Sequence, residues 1–371
     1  LKFTKIELFD WLKPQPHDLI DLSGSGISGP KTLGELGLDL GDMPIFGYNY
    51  YGWPPLKERL AELFKVHPDD IALTPGASMA NFAAMAATLD TGDKALLERP
   101  FYQPFVSLAE TLTGQTPLFI ERRFEDKYKL DGQLWSRHID HIKLLIATNL
   151  HNPGGVFTQP DALVNLADRV SSAGGWLLVD EIFTPFIAGE EWNTVARLHN
   201  RIIATGSLTK VWGLSGLRIG WVVAPPPVAR AVERVMDYLH VNQPFITDYI
   251  TLKYLENETL WRRWLNYART RASENWLMVN AFLERTPQLE YVKPDGGIIV
   301  FVRFCDRCPS QTFTDHVLKE HKVLVQPGRF FGDASGFRIG FGGDPVILAQ
   351  GLHLIERELK ASSTEIHTPQ D

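Results

Sequence analysis

The pattern of apolar and polar positions changes character twice along the chain. Up to residue 45 the apolar residues follow no period, and glycines and prolines recur. This stretch reads as an irregular arm wrapped on a larger body. From Pro55 the pattern becomes regular. "PLKERLAELFKV" (Pro55–Val66) has Leu56, Leu60, Leu63 and Phe64 at helical spacing, with charges on the other face. Short apolar runs then alternate with helical patterns. "DIALTPG" ends in a turn before the helix "ASMANFAAMAATL". "KALLE" precedes a helix near Tyr102–Thr113, and "TPLFIE" follows. "KLLIATN" (Lys143–Asn149) is a continuous apolar run, which predicts a strand buried on both faces. "PDALVNLADRVSSAG" predicts a helix closed by glycine. "WLLVDEIF", "RIIATGS" and "RIGWVVA" complete the set. The alternation predicts an α/β fold, a mostly parallel sheet covered by helices, with ligands near the strand C-termini.

After "APPPVARAVERV" the pattern changes again. Long helical patterns run to about residue 285. Then come "GGIIVFVRF", a helix near Ser310–His321, "KVLVQPG", "GFRIGFG" and a helix from Pro345. These predict a smaller α+β domain. The division is an N-terminal arm over 1–45 packing with the small domain, a large domain over 46–250 and a small domain over 251–371.

Composition narrows the function classes. A length of 371 residues suits about two domains. Lys plus Arg number 37 and Asp plus Glu 44, a net charge of −7. That argues against a nucleic-acid partner, which needs a basic face. No apolar run reaches the roughly 18 residues of a membrane span. The first residues, broken by Pro14 and Pro16, do not resemble a secretory signal. Two cysteines in the whole chain fit a reducing compartment and predict the cytoplasm. They form a lone C-x-x-C, Cys305 and Cys308. A structural zinc site needs about two further ligands, and His316 and His321 lack finger spacing. The pair reads as incidental thiols at a strand end, and no metal is expected.

Chemistry concentrates elsewhere. "SLTKVWGLSGLRIGW" (Ser207–Trp221) holds two cations, Lys210 and Arg218, in apolar surroundings. A desolvated lysine after a strand has a lowered pKa, and its free amine can attack a carbonyl. Taken alone, Lys210 is more simply a surface lysine. Asp180, ending a buried strand, needs a cationic partner. A pyridinium nitrogen is one, and lysine plus aspartate is the pairing that holds pyridoxal phosphate. Asn152 in "TNLHNPGG" offers an amide in a turn. Gly76, Ala77 and Ser78 in "TPGAS" precede a helix, where backbone amides bind anions. Ser207 and Arg218 suit a phosphate dianion, and Tyr102 offers a face to a flat ring. "GSGISG" (Gly24–Gly29) matches G-x-G-x-x-G, but Pro30, Gly34 and Gly37 follow where a dinucleotide site needs a helix. It reads as a loop whose backbone approaches a small ligand.

In their order along the chain, over about residues 20 to 360, these blocks resemble those of the fold-type-I pyridoxal-phosphate enzymes, specifically the class I/II aminotransferase family. The resemblance implies an amino group moved between an amino acid and a 2-oxo acid, by a homodimer with shared active sites. It implies that Lys210 binds pyridoxal 5'-phosphate through its amine and moves the substrate proton. Asp180 would keep the ring nitrogen protonated, and Asn152 would bond the ring's phenolic oxygen. Gly76, Ala77, Ser78, Ser207 and Arg218 would hold the phosphate, and Tyr102 would stack on the ring. Arg338 in "FRIGFG" would clamp the substrate carboxylate, with Gly26 on the substrate side. Tyr48, or else Tyr51, would reach the phosphate of the partner subunit's cofactor.

Two residues depart from the family pattern. Phe183 stands where tyrosine is usual and cannot donate to the phenolic oxygen. Gly154 stands where Thr or Ser is common, a change expected to alter turn packing. The opening loop together with Phe183 is similar to the capreomycidine-synthase branch. That leaves replacement or cyclisation of an amino acid as an alternative, since one fold and cofactor serve several reactions. A non-catalytic sensor of the cofactor is a more distant one. Such relatives carry an added DNA-binding domain, and no basic module is present here.

Overall fold

A computed structural model of the chain describes residues 3–47, 49–130 and 141–365. Its larger layer is a seven-stranded sheet in the order Ile71–Thr74, Gly220–Val223, Ile202–Ser207, Trp176–Asp180, Leu144–Thr148, Ala95–Arg99, Leu118–Glu121. Gly220–Val223 runs antiparallel to both neighbours, and the other pairs are parallel. Leu144–Thr148 is buried throughout, as its continuous apolar run predicts, and Ile202–Ser207 is buried throughout as well.

Side-chain alternation divides the core between the two faces. Leu144 and Ile146 pack with Ala80, Ala84 and Val232, on helices Ala77–Ala86 and Pro226–Asp237. Leu145 and Ala147 pack with Leu163, Leu166 and Val170 on helix Pro160–Ser172. Successive residues of one strand thus serve opposite layers.

The second body is a four-stranded antiparallel sheet, Gln326–Pro327, Gly336–Gly340, Ile299–Phe304, Leu289–Tyr291. Helices Gln311–His321 and Pro345–Glu365 and the long helix Glu258–Glu284 accompany it. Asn257 starts the long helix by accepting a hydrogen bond from Leu260 N at 3.0 Å.

The arm is more ordered than its composition suggests. Residues Glu7–Leu12 form a helix, with Leu8 buried and Trp11 5.3 Å from Phe330. Leu8 N donates to Gln103 Oε1 at 2.7 Å, so the arm touches the large layer as well as the small. Strand Ile20–Asp21 pairs in parallel with Val323–Leu324 and ties the arm to the small body. "KVLVQPG" is not one strand. Val323–Leu324 joins the arm, and Gln326–Pro327 joins the four-stranded sheet.

Candidate active site

Three neighbouring parallel strands end at Thr148, Asp180 and Ser207, and a cavity of about 380 Å³ opens beyond them. Lys210, Asp180, Asn152, Arg218, Arg338 and Tyr102 all line it. Residues spread over 237 positions (102 to 338) therefore meet at one sheet edge.

Asp180 is buried. Its Oδ2 accepts from Asn81 Nδ2 at 2.8 Å and its Oδ1 from Ile182 N at 3.0 Å. Burial raises its pKa, while these donors and the Lys210 charge work against that rise. Asn81 Oδ1 in turn accepts from Thr205 Oγ1 at 2.5 Å, which fixes the amide orientation. Sequence reasoning missed Asn81. Its signal is a polar side chain on the alanine-rich inner face of a buried helix.

Lys210 lies just beyond Ile202–Ser207. Its Nζ donates to Ser25 Oγ at 2.8 Å and stands 5.9 Å from the Phe183 ring centroid. Burial first, then the Arg338 charge, lowers its pKa to about 8, with Asp180 opposing. Ser25 is a second residue that sequence reasoning missed. It belongs to the glycine loop, whose backbone alone drew attention.

An anion cradle forms at the start of helix Ala77–Ala86. Its first intrahelical bond runs from Ala80 N to Gly76 O, leaving the amides of Ala77 and Ser78 open. Gly76 has φ +84°, and a Cβ there would fall 2.4 Å from Arg218 Nη2. The missing side chain lets the guanidinium lie against the helix start. Arg218 itself takes a left-handed φ of 51°, and its Nη1 donates to Ser215 O. Ser207 Oγ accepts from Thr209 N at 3.1 Å. This cradle and the Lys210–Asp180 pair fit the two ends of pyridoxal phosphate.

Arg338 is 2 % exposed, yet it forms no ion pair among the described residues. Its Nη1 donates to Asn152 Oδ1 and its Nη2 to Ser23 O, each at 2.9 Å, and its Nε lacks a partner. Burial lowers its pKa to about 10, with Tyr102 and Asp21 opposing. Asn152 is held from behind. Its N donates to Thr148 Oγ1, which donates to Glu98 Oε1, and Glu98 pairs with Arg122 at 2.8 Å. Tyr102, at the start of helix Gln103–Thr113, is half-buried with its pKa raised to about 12 by burial.

Not every expected residue reaches the cavity. The wall beside Arg338 is Ser23, Gly24 and Ser25, one position ahead of Gly26. Tyr48 lies outside the described residues, and Tyr51 is exposed with Arg230 over its ring at 5.3 Å. Cys305 and Cys308 are exposed free thiols. The His316, His321 and Glu358 side chains converge within 4.8 Å without either cysteine. Gly154 has a local reason. A Cβ there would stand 2.7 Å from His151 Nδ1 and 2.8 Å from Tyr128 Cδ2. His151 is fully buried and kept neutral by burial, its Nε2 within 2.9 Å of Pro100 O.

The chain as a whole is similar to known proteins. Residues 43–355 match the family described as aminotransferase class I and II. Capreomycidine synthase of Streptomyces vinaceus is 29 % identical over 368 residues, 95 % of this chain and 93 % of that protein. The aspartate aminotransferase of Thermotoga maritima is 24 % identical over 319 residues, 81 % and 79 % of the two chains. A pyridoxal-phosphate-dependent aminotransferase structure from Streptococcus suis superposes with a TM-score of 0.88 at 25 % identity, covering 97 % of this chain and 99 % of that one. The chain therefore belongs to the aminotransferase class I and II family and is an aminotransferase.

Proposed function

We propose that the protein moves an amino group from an amino acid to a 2-oxo acid, using pyridoxal 5'-phosphate held at Lys210. The observation that carries this reading is the Lys210 amine, made reactive by burial, sharing one cavity with the buried Asp180 carboxylate. When bound, pyridoxal phosphate supplies an aldehyde that condenses with amines and a ring that accepts the electron pair left by α-proton loss.

The chain's own residues supply the rest. Asp180, steadied by Asn81, would pair with the ring nitrogen and keep a proton on it. The Ala77 and Ser78 amides, Ser207 and Arg218 would hold the phosphate. Tyr102 would stack on the ring, and Asn152, which accepts from Arg338, would also bond the ring oxygen. Arg338 receives the substrate carboxylate, which supplies the anion that this buried cation lacks. Lys210 would hold the cofactor's aldehyde carbon through its amine and, as a free amine once substrate is bound, would take the proton from the substrate α-carbon. Phe183 offers no hydroxyl, so contact with the ring oxygen falls to Asn152.

The working unit is a homodimer in the cytoplasm. Hydrogen bonds between Asn49 and Gln243 join two exposed apolar stretches. Phe46 is 91 % and Tyr238 92 % exposed, and Ile45 and Val241 lie bare beside them. Such a patch marks an interface. The family resemblance assigns the contact with the neighbouring phosphate to Tyr48 or else Tyr51, which belong to the same stretch of sequence. No described helix is long and apolar enough to cross a membrane.

Single-turnover product analysis tests the reading. Transamination leaves the cofactor as pyridoxamine phosphate beside an oxo acid. The likeness to capreomycidine synthase supports a second reading, replacement or cyclisation. That chemistry leaves the cofactor in its aldehyde form beside an altered amino acid.

A further inference from the structure

The charged side chains lining the cavity are Asp180, Lys210, Arg218 and Arg338. Each already has a task in the reaction proposed above. Asp180 is held by Asn81 and Ile182 N. Arg218 lies against the phosphate cradle. Arg338 is set for the substrate carboxylate, and Gln326, also in the wall, stands opposite it in strand register. Among the described residues lining the cavity, no cation remains for a side-chain carboxylate, and no carboxylate remains for an ammonium or guanidinium.

The wall that remains is apolar. Leu8, Phe9 and Leu12 of helix Glu7–Leu12 line the cavity together with Ile182 and Phe183. This helix is fixed in place by the Leu8–Gln103 hydrogen bond and the Trp11–Phe330 contact. Phe9 also lines an adjoining cavity of about 210 Å³ with Phe82, Phe105 and Leu108, and no charged residue borders that space. The stretch offered to a neighbouring subunit, residues 43–53, contains no charged residue either. A charged side chain placed here would lose its hydration without gaining a partner.

We infer that the amino donor carries an uncharged, apolar side chain seated against Leu8, Phe9 and Leu12 of the arm. The inference rests on the aminotransferase reading and names its substrate class. It sets this protein apart from enzymes acting on dicarboxylic or guanidino amino acids.

The test uses the holoenzyme and two readouts. The first is conversion of bound cofactor to its amine form by leucine, methionine and phenylalanine, against aspartate, glutamate and arginine. The expected kcat/KM is roughly 100-fold or more higher for the apolar donors. The second is calorimetric binding of unreactive acids, isocaproate and hydrocinnamate against succinate, with the apolar acids binding more tightly. Leu12→Arg raises kcat/KM for glutamate relative to leucine by roughly tenfold. Equal or better conversion with aspartate, glutamate or arginine overturns the inference and leaves the aminotransferase reading standing. If no donor converts the cofactor but the apolar acids bind more tightly, the aminotransferase reading fails and the apolar subsite stands. Tighter succinate binding overturns the subsite.

Discussion

Lys210 Nζ donates to Ser25 Oγ at 2.8 Å, joining the lysine beyond a sheet strand to the glycine loop of the arm. Arg338 grips the same loop through Ser23 O. Both cations therefore bind the segment that connects the arm to the small sheet, and order in the arm is coupled to order in the site.

The first prediction concerns pH. Burial and the Arg338 charge favour the neutral amine of Lys210, and its pKa falls to about 8. Below that pH the amine is protonated and cannot attack. The rate at which apoprotein combines with pyridoxal phosphate should rise about tenfold per pH unit up to about 8, then level. Asp180 favours the charged form, so Asp180→Asn should move the midpoint to lower pH. Stopped-flow absorbance across pH measures both.

Asn81 acts through Asp180. Asn81→Ala removes the donor at Asp180 Oδ2 and the acceptor for Thr205, leaving buried groups unpaired. The expected loss of stability is about 1–3 kcal/mol. Asp180 should also titrate at higher pH, so the acid limb of the kcat profile moves upward. A purely structural residue would lower Tm without moving that limb.

Arg338 gives an asymmetric prediction. Arg338→Lys keeps the charge but loses the fork that holds Asn152 and Ser23 together. Substrate carboxylate binding should weaken by about 3 kcal/mol, a fall of roughly 100-fold in kcat/KM. Steady-state kinetics should show the fall mainly in KM, with pyridoxal-phosphate affinity little changed.

Gly154 and His151 form a coupled pair. Gly154→Ser pushes a side chain into His151 Nδ1 and Tyr128, at an expected cost of about 1–3 kcal/mol. In a His151→Ala background the same change should cost less, because the obstructing ring is gone. Denaturant unfolding of the four proteins measures the coupling.

These residues differ in how far the sequence exposes them. Lys210, Asp180 and Asn152 stand at or just past the ends of short apolar runs, whose length and β-branched content fit strands buried on both faces. Their C-termini share one sheet edge, so the three converge. Asn81 and Ser25 act through contacts with Asp180 and Lys210 that lie 99 and 185 residues away along the chain, and no local period encodes them. The helix Glu7–Leu12 is too short to announce itself by periodicity and depends on Gln103 and Phe330. The split of "KVLVQPG" between two sheets was hidden for the same reason. Alternation marks Val323 to Pro327 as extended but not which partner each half finds.

The central claim is that Lys210 is the amine that holds pyridoxal phosphate. Its most direct test is borohydride reduction of the protein loaded with pyridoxal phosphate, followed by peptide mass mapping. The account predicts one pyridoxyl adduct per chain, on the peptide containing Lys210, and its loss in Lys210→Ala. An adduct on another lysine at full occupancy, or an unchanged adduct in Lys210→Ala, would contradict it.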